Sequence, residues 1–215
     1  MGLFEITFIL ITLLAILGLG LATLGWKLIL PIFLVWGTIT AVLAQQDFFK
    51  VTDTFPPRIM LVLLPATFLA IFLFRKLKNR GKNIHLLLSI SILRIPVEVT
   101  LHHLYTQGLI PELMTYSGWN FDILSGLSAV VLLFLSLSGK LTKTVLLIWN
   151  WVALFLLIFI VAIAVLSAPT PLQQLAFDQP NVAVLSFPYI WLPAIVVPIV
   201  FLSHFLIFKS ARRMT

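Results

Sequence analysis

The 215-residue chain is 61% hydrophobic and 10% charged, with a mean hydropathy of +1.14, whereas charged residues make up about 25% of a typical soluble domain. This composition excludes a soluble globular domain and indicates an integral membrane protein. The net charge of +7 does not indicate nucleic-acid binding, because the basic residues lack interleaved aromatic or glycine-rich patterns. The absence of cysteine excludes disulfides, thiolate metal sites and cysteine nucleophiles.

Long apolar segments recur along the chain, and most are long enough to cross a hydrocarbon core of about 30 Å. Backbone polar groups in lipid must bond within their own segment, so these segments are predicted to be helices. We predict an all-α, polytopic transmembrane bundle of seven helices that forms a single domain over residues 1–215. The predicted spans are about 4–24, 28–46, 57–75, 84–105, 121–139, 143–167 and 184–208.

Taken in chain order, the first two predicted helices form a hairpin that closes at residues 25–27, and an outer loop over residues 45–57 precedes the third. A basic turn over residues 75–83 leads to the fourth, in which Pro96 is expected to interrupt the backbone hydrogen bonds. The sixth carries Asn150, which we expect to bind a neighbouring helix. The seventh contains three prolines, each of which removes an N–H donor and can kink a helix. They are Pro188, Pro193 and Pro198.

Charged residues sort to opposite ends of the seven predicted helices. Because Lys and Arg mark the cytoplasmic side of membrane proteins, we predict an outside amino terminus and a cytoplasmic carboxyl terminus. Adding or removing one span would mix the two sets. The basic set is Lys27, Arg75, Lys76, Lys78, Arg80, Lys82, Lys140, Lys143, Lys209, Arg212 and Arg213. The acidic set is Glu5, Asp47, Asp53, Glu112, Asp122 and Asp178, accompanied by Lys50 and Arg58.

The fourth predicted helix carries an unusual polar stripe. Arg94, Glu98 and His102 follow one another at intervals of four residues, so they share one helical face, and Ser91 and Tyr105 fall on the same arc. A charge near the centre of a membrane costs about 2.5–3.5 kcal/mol on insertion scales. We expect an ion pair between Arg94 and Glu98 to offset part of this cost. Intramembrane ionisable residues usually mark function, although the same pair could serve only to join helices.

The loop after this helix adds further polar residues. Glu112 suits the first turn of a short helix that Pro111 begins. Asn120 is expected to cap the fifth helix, and Asp122 to be a carboxylate of its first turn, which is compatible with a ligand role. We therefore predict a polar pocket that opens to the outer face. Its candidate residues are Ser91, Arg94, Glu98, His102, Tyr105, Glu112, Asn120 and Asp122.

No cofactor is clearly indicated by the pattern of residues. His102 and His103, with carboxylates nearby, are candidate metal ligands, but their spacing matches no zinc signature. No Lys lies within a predicted span, which argues against a retinal Schiff base. Haem is not indicated, because His204 lies near the inner end and too far from the other histidines.

A resemblance centres on the fourth helix and the start of the fifth. The residues that carry it are Arg94-Ile95-Pro96-Val97-Glu98, Ile110-Pro111-Glu112-Leu113-Met114-Thr115 and Gly118-Trp119-Asn120-Phe121-Asp122-Ile123-Leu124. They resemble a family of small, uncharacterised bacterial integral membrane proteins. The resemblance implies a multi-pass protein of the bacterial inner (plasma) membrane, and it implies no activity.

Three functions fit these observations. The first is binding or transport of a small solute or ion, coupled to a proton exchanged at Glu98, because titratable residues run from the midplane towards the outer surface. The second is an intramembrane enzyme that acts on a lipid or lipid-linked substrate at the outer leaflet, with Glu98 or His102 as a general base. The third is a non-catalytic membrane subunit or sensor. The expected partners are the lipid bilayer and a small-molecule or lipid ligand.

Overall fold

The computed structural model describes residues 1–212 and contains seven α-helices, with no β-strand in that range. Six helices are long and apolar enough to cross a membrane, and the helix Asp122–Leu137, with 16 residues, is apolar but shorter. The prediction of an all-α protein with seven helices is therefore confirmed, and Arg213 of the basic set lies outside the described residues. The helices are α1 (Leu3–Thr23), α2 (Trp26–Gln45), α3 (Met60–Leu77), α4 (Ile84–Thr106), α5 (Asp122–Leu137), α6 (Lys143–Leu166) and α7 (Leu192–Ala211).

The last helix begins later than predicted. Residues 184–191, expected to be its first two turns, instead include the end of a short 3₁₀ turn (Ala183–Leu185) and a non-helical stretch. Pro188 and Pro193 contribute to the difference, because neither has an N–H to donate to the carbonyl four residues earlier. Helix α7 therefore starts at Leu192.

Helix α4 is broken near its middle, and the break determines where its polar residues lie. The segments Ile84–Ile92 and Arg94–Thr106 are separated at Leu93. Pro96 has no N–H to donate to the carbonyl of Ile92, four residues earlier, so the ladder of backbone bonds is interrupted there. The disturbance predicted at Pro96 is confirmed, and Arg94 lies at the start of the second segment.

Backbone contacts assign the loops to two ends of the bundle. At one end, the N–H of Asn83 donates to the carbonyl of Ala22 at 2.9 Å. At the other, the N–H of Val182 donates to the carbonyl of Leu109 at 3.0 Å. The ring of Phe4 stacks on His103 at this second end, with 3.6 Å between ring centroids. We call the first the basic end, because it carries the lysine-rich turn of residues 75–83, and the second the acidic end.

The exterior of the bundle is apolar, whereas its interior contains charged and polar side chains. This arrangement suits a surface that faces lipid, since soluble proteins rarely expose large contiguous apolar patches. The most exposed apolar side chains on the helices include Leu34, Phe68, Phe134 and Phe155. Buried polar side chains on the helices include Ser91, Arg94, Glu98, Asp122, Asn150 and His204.

Two tryptophans join α2 to the start of α7. Residues Leu192–Val196 form a π-helical turn, and Pro198 lacks the N–H that would bind the carbonyl of Ala194. The indole Nε1–H of Trp36 donates to that carbonyl at 3.0 Å. In return, the indole Nε1–H of Trp191 donates to the carbonyl of Gly37 at 3.0 Å. The carbonyl that proline leaves free is thus satisfied by a side chain of another helix.

The bond from Trp36 provides a test of this junction. We expect Trp36→Phe to lower the free energy of unfolding by about 1–3 kcal/mol, because the carbonyl of Ala194 would lose its donor in an apolar environment. The measurement is chemical unfolding of the purified protein in detergent micelles.

Trp151→Phe is the matched control, since this indole is 64% exposed and makes no hydrogen bond within residues 1–212. Equal stabilities for Trp36→Phe and Trp151→Phe would show that the bond to α7 contributes nothing.

Candidate functional site

Arg94 is the centre of the polar interior. Its side chain is 3% exposed, and its guanidinium group contacts three other helices. Nη1 donates to Oδ1 of Asp122 on α5 at 2.9 Å and to the carbonyl of Ala153 on α6 at 3.2 Å. Nη2 lies 2.7 Å from Nε2 of His204 on α7. One side chain of α4 therefore holds α5, α6 and α7 together.

The contact with Arg94 determines the tautomer of His204. A guanidinium group can only donate, so Nε2 of His204 must be the acceptor and Nδ1 must carry the proton. Nδ1–H then donates to Oδ1 of Asn150 at 2.7 Å, and Nδ2 of Asn150 donates to the carbonyl of His204 at 3.1 Å. The prediction that Asn150 binds a neighbouring helix is confirmed, and His204 is neutral in this arrangement.

Glu98 is bound by a different group, the side-chain amide of Asn120. Both carboxylate oxygens of Glu98 lie 2.7 Å from Nδ2 of Asn120, which also donates to the carbonyl of Met114 at 3.0 Å. Because Nδ2 has two hydrogens, one serves Met114 and the other is shared between the carboxylate oxygens. Oδ1 of Asn120 accepts the backbone N–H of Asp122 at 3.0 Å. Asn120 therefore binds both the first residue of α5 and Glu98, whereas the N-cap position is Phe121, one residue later than predicted.

The predicted ion pair between Arg94 and Glu98 is wrong. Within residues 1–212, the ion pair of Arg94 is the one with Asp122. The reason lies in Gly126, where an added Cβ would come within 2.8 Å of the side chain of Ile95 and 3.4 Å of Cβ of Arg94. Glycine thus lets α5 approach the break in α4, which brings Asp122 to the guanidinium group. Glu98 is left without an ion-pair partner among the described residues.

We call six side chains the polar cluster: Arg94, Glu98, Asn120, Asp122, Asn150 and His204. They form one connected chain of hydrogen bonds through the backbone N–H of Asp122. Donors beside this chain that are unused in the described part of the protein include Nε of Arg94 and the hydroxyl of Ser91. With Glu98 ionised and His204 neutral, one positive and two negative charges leave a net charge of about −1.

Two adjoining cavities lie beside the polar cluster. The small cavity has a volume of about 60 Å³ and an almost entirely apolar wall, and Arg94, Glu98 and Asp122 are among the residues that line it. The side cavity, of about 630 Å³, lies between α3, α6 and α7 and is lined almost entirely by apolar residues. Its border residues Ile71 and Phe205 are exposed, so it opens on the side of the bundle. Four residues line both cavities: Val161, Ala164, Leu192 and Val197.

The predicted pocket is only partly assembled around this cluster. Ser91, Arg94, Glu98, Asn120 and Asp122 are buried together in the interior, whereas the other three candidates lie nearer the surface. His102 stacks on Tyr116 with 4.6 Å between ring centroids, and its ring is 6.0 Å from that of Tyr105. Glu112 is exposed on the 3₁₀ turn Glu112–Met114.

The histidines proposed as metal ligands contact different neighbours. His103 stacks on Phe4 and bonds to Nε2 of Gln107 at 3.0 Å, whereas His102 faces Tyr116. No group of three or more His, Cys, Asp or Glu residues within residues 1–212 is placed to hold a metal ion.

Sequence reasoning missed His204 and placed it near the inner end of its helix. It also treated Asn150 as a helix contact unrelated to the pocket. Each is an isolated polar residue in an otherwise apolar segment, which was the available signal, since an intramembrane charge such as Arg94 requires partners on other helices. Their pairing with each other depends on the π turn of α7 and could not be read from spacing.

The ion pair at the centre of the cluster gives a prediction about stability. Asp122→Asn should lower the free energy of unfolding by about 3–5 kcal/mol, because it leaves the guanidinium charge of Arg94 buried and uncompensated. The measurement is reversible unfolding in micelles or bicelles.

Asp47→Asn is the control, because it removes the same charge from the exposed pair between Asp47 and Lys50, which are 2.7 Å apart. Exposed pairs contribute little, so the unfolding free energy should stay nearly unchanged. Similar losses in both variants would contradict a special role for the buried pair.

Comparison with known proteins identifies a family. The domain of unknown function DUF8737 matches residues 58–212, a range that includes the whole polar cluster and both cavities. No curated protein and no solved structure matches the chain. Because the matched range covers well over half of the 215 residues, the chain belongs to the DUF8737 family.

Proposed function

We propose that this protein binds a small solute or ion inside its helix bundle and moves it across the membrane in exchange for a proton at Glu98. The observation that carries the proposal is the environment of Glu98. Its carboxyl group is 2% exposed, is bound by an amide without an ion-pair partner among residues 1–212, and borders a cavity. Such a group can alternate between a neutral acid and a carboxylate that attracts a cation.

The rest of the polar cluster suits this alternation because it fixes the surroundings of Glu98. Arg94 keeps its charge and is held by Asp122, Ala153 and His204, so the loss of a proton from Glu98 changes the local charge by one unit. Asn120 can bind the carboxyl group in either state through the same Nδ2 atom. The acid is therefore placed in a preorganised frame.

The proposed route for protons leads towards the acidic end. Asn120 connects Glu98 to the loop of residues 107–121, and His102 lies one turn further along α4 against Tyr116 and Ser117. Nδ1 of His102 is 3.4 Å from the hydroxyl of Ser117, which is exposed. A partly exposed imidazole between a buried acid and the surface is a suitable proton carrier.

We further propose the bacterial inner membrane as the location, with the acidic end outside and the basic end in the cytoplasm. The support is the charge distribution, since the lysine- and arginine-rich turn of residues 75–83 lies at the basic end. In this orientation the proposed proton route from Glu98 through Asn120 and His102 would lead to the outer face. The resemblance to small bacterial membrane proteins supports the location.

A second candidate function is an intramembrane enzyme that acts on a lipid or lipid-linked substrate. The observation that favours it is the side cavity, which opens on the apolar flank of the bundle and shares four wall residues with the small cavity. In that case Glu98 would act as a general base on a substrate that enters from the bilayer. Turnover of lipid by the purified protein would favour this function over transport.

Replacement of Glu98 tests the proton exchange. We expect proteoliposomes that contain the wild-type protein, an enclosed pH-sensitive dye and an outward gradient of K⁺ as the probe cation to take up protons as K⁺ leaves. Glu98→Gln should reduce the rate to that of protein-free liposomes, because an amide cannot carry the proton.

Asp178→Asn is the control, since Asp178 is exposed in the loop at the acidic end, and its rate should match the wild type. Infrared titration supplies a second readout, in which a pH-dependent carboxyl band should be absent from Glu98→Gln. Unchanged proton uptake and an unchanged band in Glu98→Gln would refute the role of Glu98 and leave the cluster as a joint between helices.

Labelling of single cysteines tests the orientation, and the absence of native cysteine gives a clean background. In spheroplasts, a membrane-impermeant maleimide should label Asp53→Cys at the acidic end and should label Asn79→Cys at the basic end only after lysis. Both positions are exposed. The reverse pattern would show that the chain has the opposite orientation.

A further inference from the structure

We propose that the ligand of this site is an amphipathic organic ammonium ion, with its charged nitrogen beside Glu98 in the small cavity and its apolar body in the side cavity. This inference rests on the proposed function, because it names the class of solute for which Glu98 would exchange its proton. It is carried by three features of the described residues: the unbalanced carboxylate, the shape and lining of the two cavities, and an unused acceptor.

Charge is the first argument. Asp122 neutralises Arg94 at 2.9 Å, which leaves the carboxylate of Glu98 as the charge without an ion-pair partner in residues 1–212. A cation placed beside Glu98 would balance the cluster, whereas an anion would lie beside two carboxylates. In a low-dielectric interior this difference in sign decides which ligands are accepted. The unused Nε of Arg94 does not reverse the argument, because the guanidinium charge is already paired.

The cavities provide the second argument. About 60 Å³ beside Glu98 accommodates an ammonium group but not a large apolar body. The side cavity, of about 630 Å³, falls within the usual size range of small-molecule sites, which is about 300–1,000 Å³. Its lining includes Phe74, Phe201 and Phe205, and aromatic rings attract organic cations as well as apolar groups. Small and large cavities that share walls suit a ligand with a small charged end and a bulky apolar end.

An unused hydrogen-bond acceptor is the third argument. Asn181 lines the side cavity and is 1% exposed, and its Nδ2 donates to the carbonyl of Ala164 at 3.1 Å. Its Oδ1 has no hydrogen-bond partner among the described residues. A buried amide oxygen without a donor is costly, and a ligand with an N–H or O–H group could satisfy it. Oδ1 of Asn181 thus favours a ligand with a donor on its apolar body, whereas the carboxylate of Glu98, which within residues 1–212 accepts only from Nδ2 of Asn120, favours a charged end that donates.

Exchange at this site is balanced in charge. When the ammonium ion enters, the O–H bond of neutral Glu98 breaks and its proton passes to water, so one cation replaces another beside the carboxylate. Arg94 on the same helix, Asp122 on α5 and His204 on α7 face the cluster and keep their own pairings. Proton and ammonium ion therefore compete for one carboxylate, which is the condition for coupled exchange.

The test compares matched probes by isothermal titration calorimetry with the full chain in detergent micelles. The probes are phenylbutylamine, its trimethylammonium analogue and phenylbutyric acid, which share one apolar body. We expect phenylbutylamine to bind to the wild type, the trimethylammonium analogue to bind more weakly, and phenylbutyric acid not to bind above the micelle background. Glu98→Gln should weaken the binding of phenylbutylamine at least about tenfold, which corresponds to about 1.4 kcal/mol.

Asn181→Ala and Asp178→Asn complete the comparison. Asn181→Ala should leave the binding of phenylbutylamine nearly unchanged, because the ammonium group lies beside Glu98 and the phenyl ring carries no donor. A para-hydroxyl group on the phenyl ring of phenylbutylamine should strengthen binding to the wild type several-fold, and Asn181→Ala should abolish that gain, because the hydroxyl would donate to Oδ1 of Asn181. Asp178→Asn should bind all probes as the wild type does, since its carboxylate is exposed and outside both cavities. Circular dichroism spectra equal to that of the wild type would show that each variant is folded.

The outcomes distinguish this inference from the proposed function. Preferential binding of phenylbutyric acid, lost in Arg94→Met, would overturn the ammonium ligand and identify an anion site. Binding of the amine that Glu98→Gln does not weaken would also overturn it. If no probe binds while proton uptake still depends on Glu98, the class of solute is wrong and the proton exchange stands.

Discussion

A single buried guanidinium group is the constraint on which the interior of this protein depends. Arg94 cannot lose its charge in a protein, so a position 3% exposed among apolar helices requires partners from every side. The partners come from three helices, through Asp122, the carbonyl of Ala153 and His204. Local features of the chain can each be understood as means to bring one of them close. Gly126 permits the approach of α5, and the break at Leu93 places Arg94 at the start of a helical segment.

The choice of partner for Arg94 has a direct chemical result. An ion pair between Arg94 and Glu98, which lie on the same helix, would have left Asp122, in the first turn of α5, as the unbalanced carboxylate. Because Asp122 is the ion-pair partner of Arg94 instead, the unbalanced carboxylate is Glu98, which lies deeper in the bundle and lines the small cavity. Asn120 binds both acidic residues. Its amide nitrogen donates to the carboxylate of Glu98, and its amide oxygen accepts the backbone N–H of Asp122. The cluster thus contains one acid that is paired with Arg94 and one that has no ion-pair partner among residues 1–212.

The sequence predicted the helices well and the cluster only in part, for a physical reason. Membrane helices are determined by local hydrophobicity, so seven segments and the disturbance at Pro96 could be read from the chain. Burial of Ser91, Arg94, Glu98, Asn120 and Asp122 also agrees with the predicted pocket. The pairing within the cluster is a tertiary property. Helical spacing favoured Glu98 as the partner of Arg94, but it contains no information on the approach of α5 at Gly126 or on the rotation of α7 that presents His204. The surface positions of His102, Tyr105 and Glu112 likewise depend on how the loop of residues 107–121 folds back over the bundle.

The π turn at Leu192–Val196 has a consequence for the whole of α7. One extra residue within a turn shifts the angular phase of everything downstream by about 100° relative to an uninterrupted α-helix. Trp191 lies before this shift and His204 after it, so the indole bond to Gly37 and the imidazole contact with Arg94 are in register only while the extra residue is present. Reversion of that turn to regular α geometry would turn the imidazole away from the guanidinium group and displace Val197, a wall residue of both cavities. The one extra residue in this turn thereby links the bond from Trp191 to Gly37, which anchors α7, to the wall that the two cavities share.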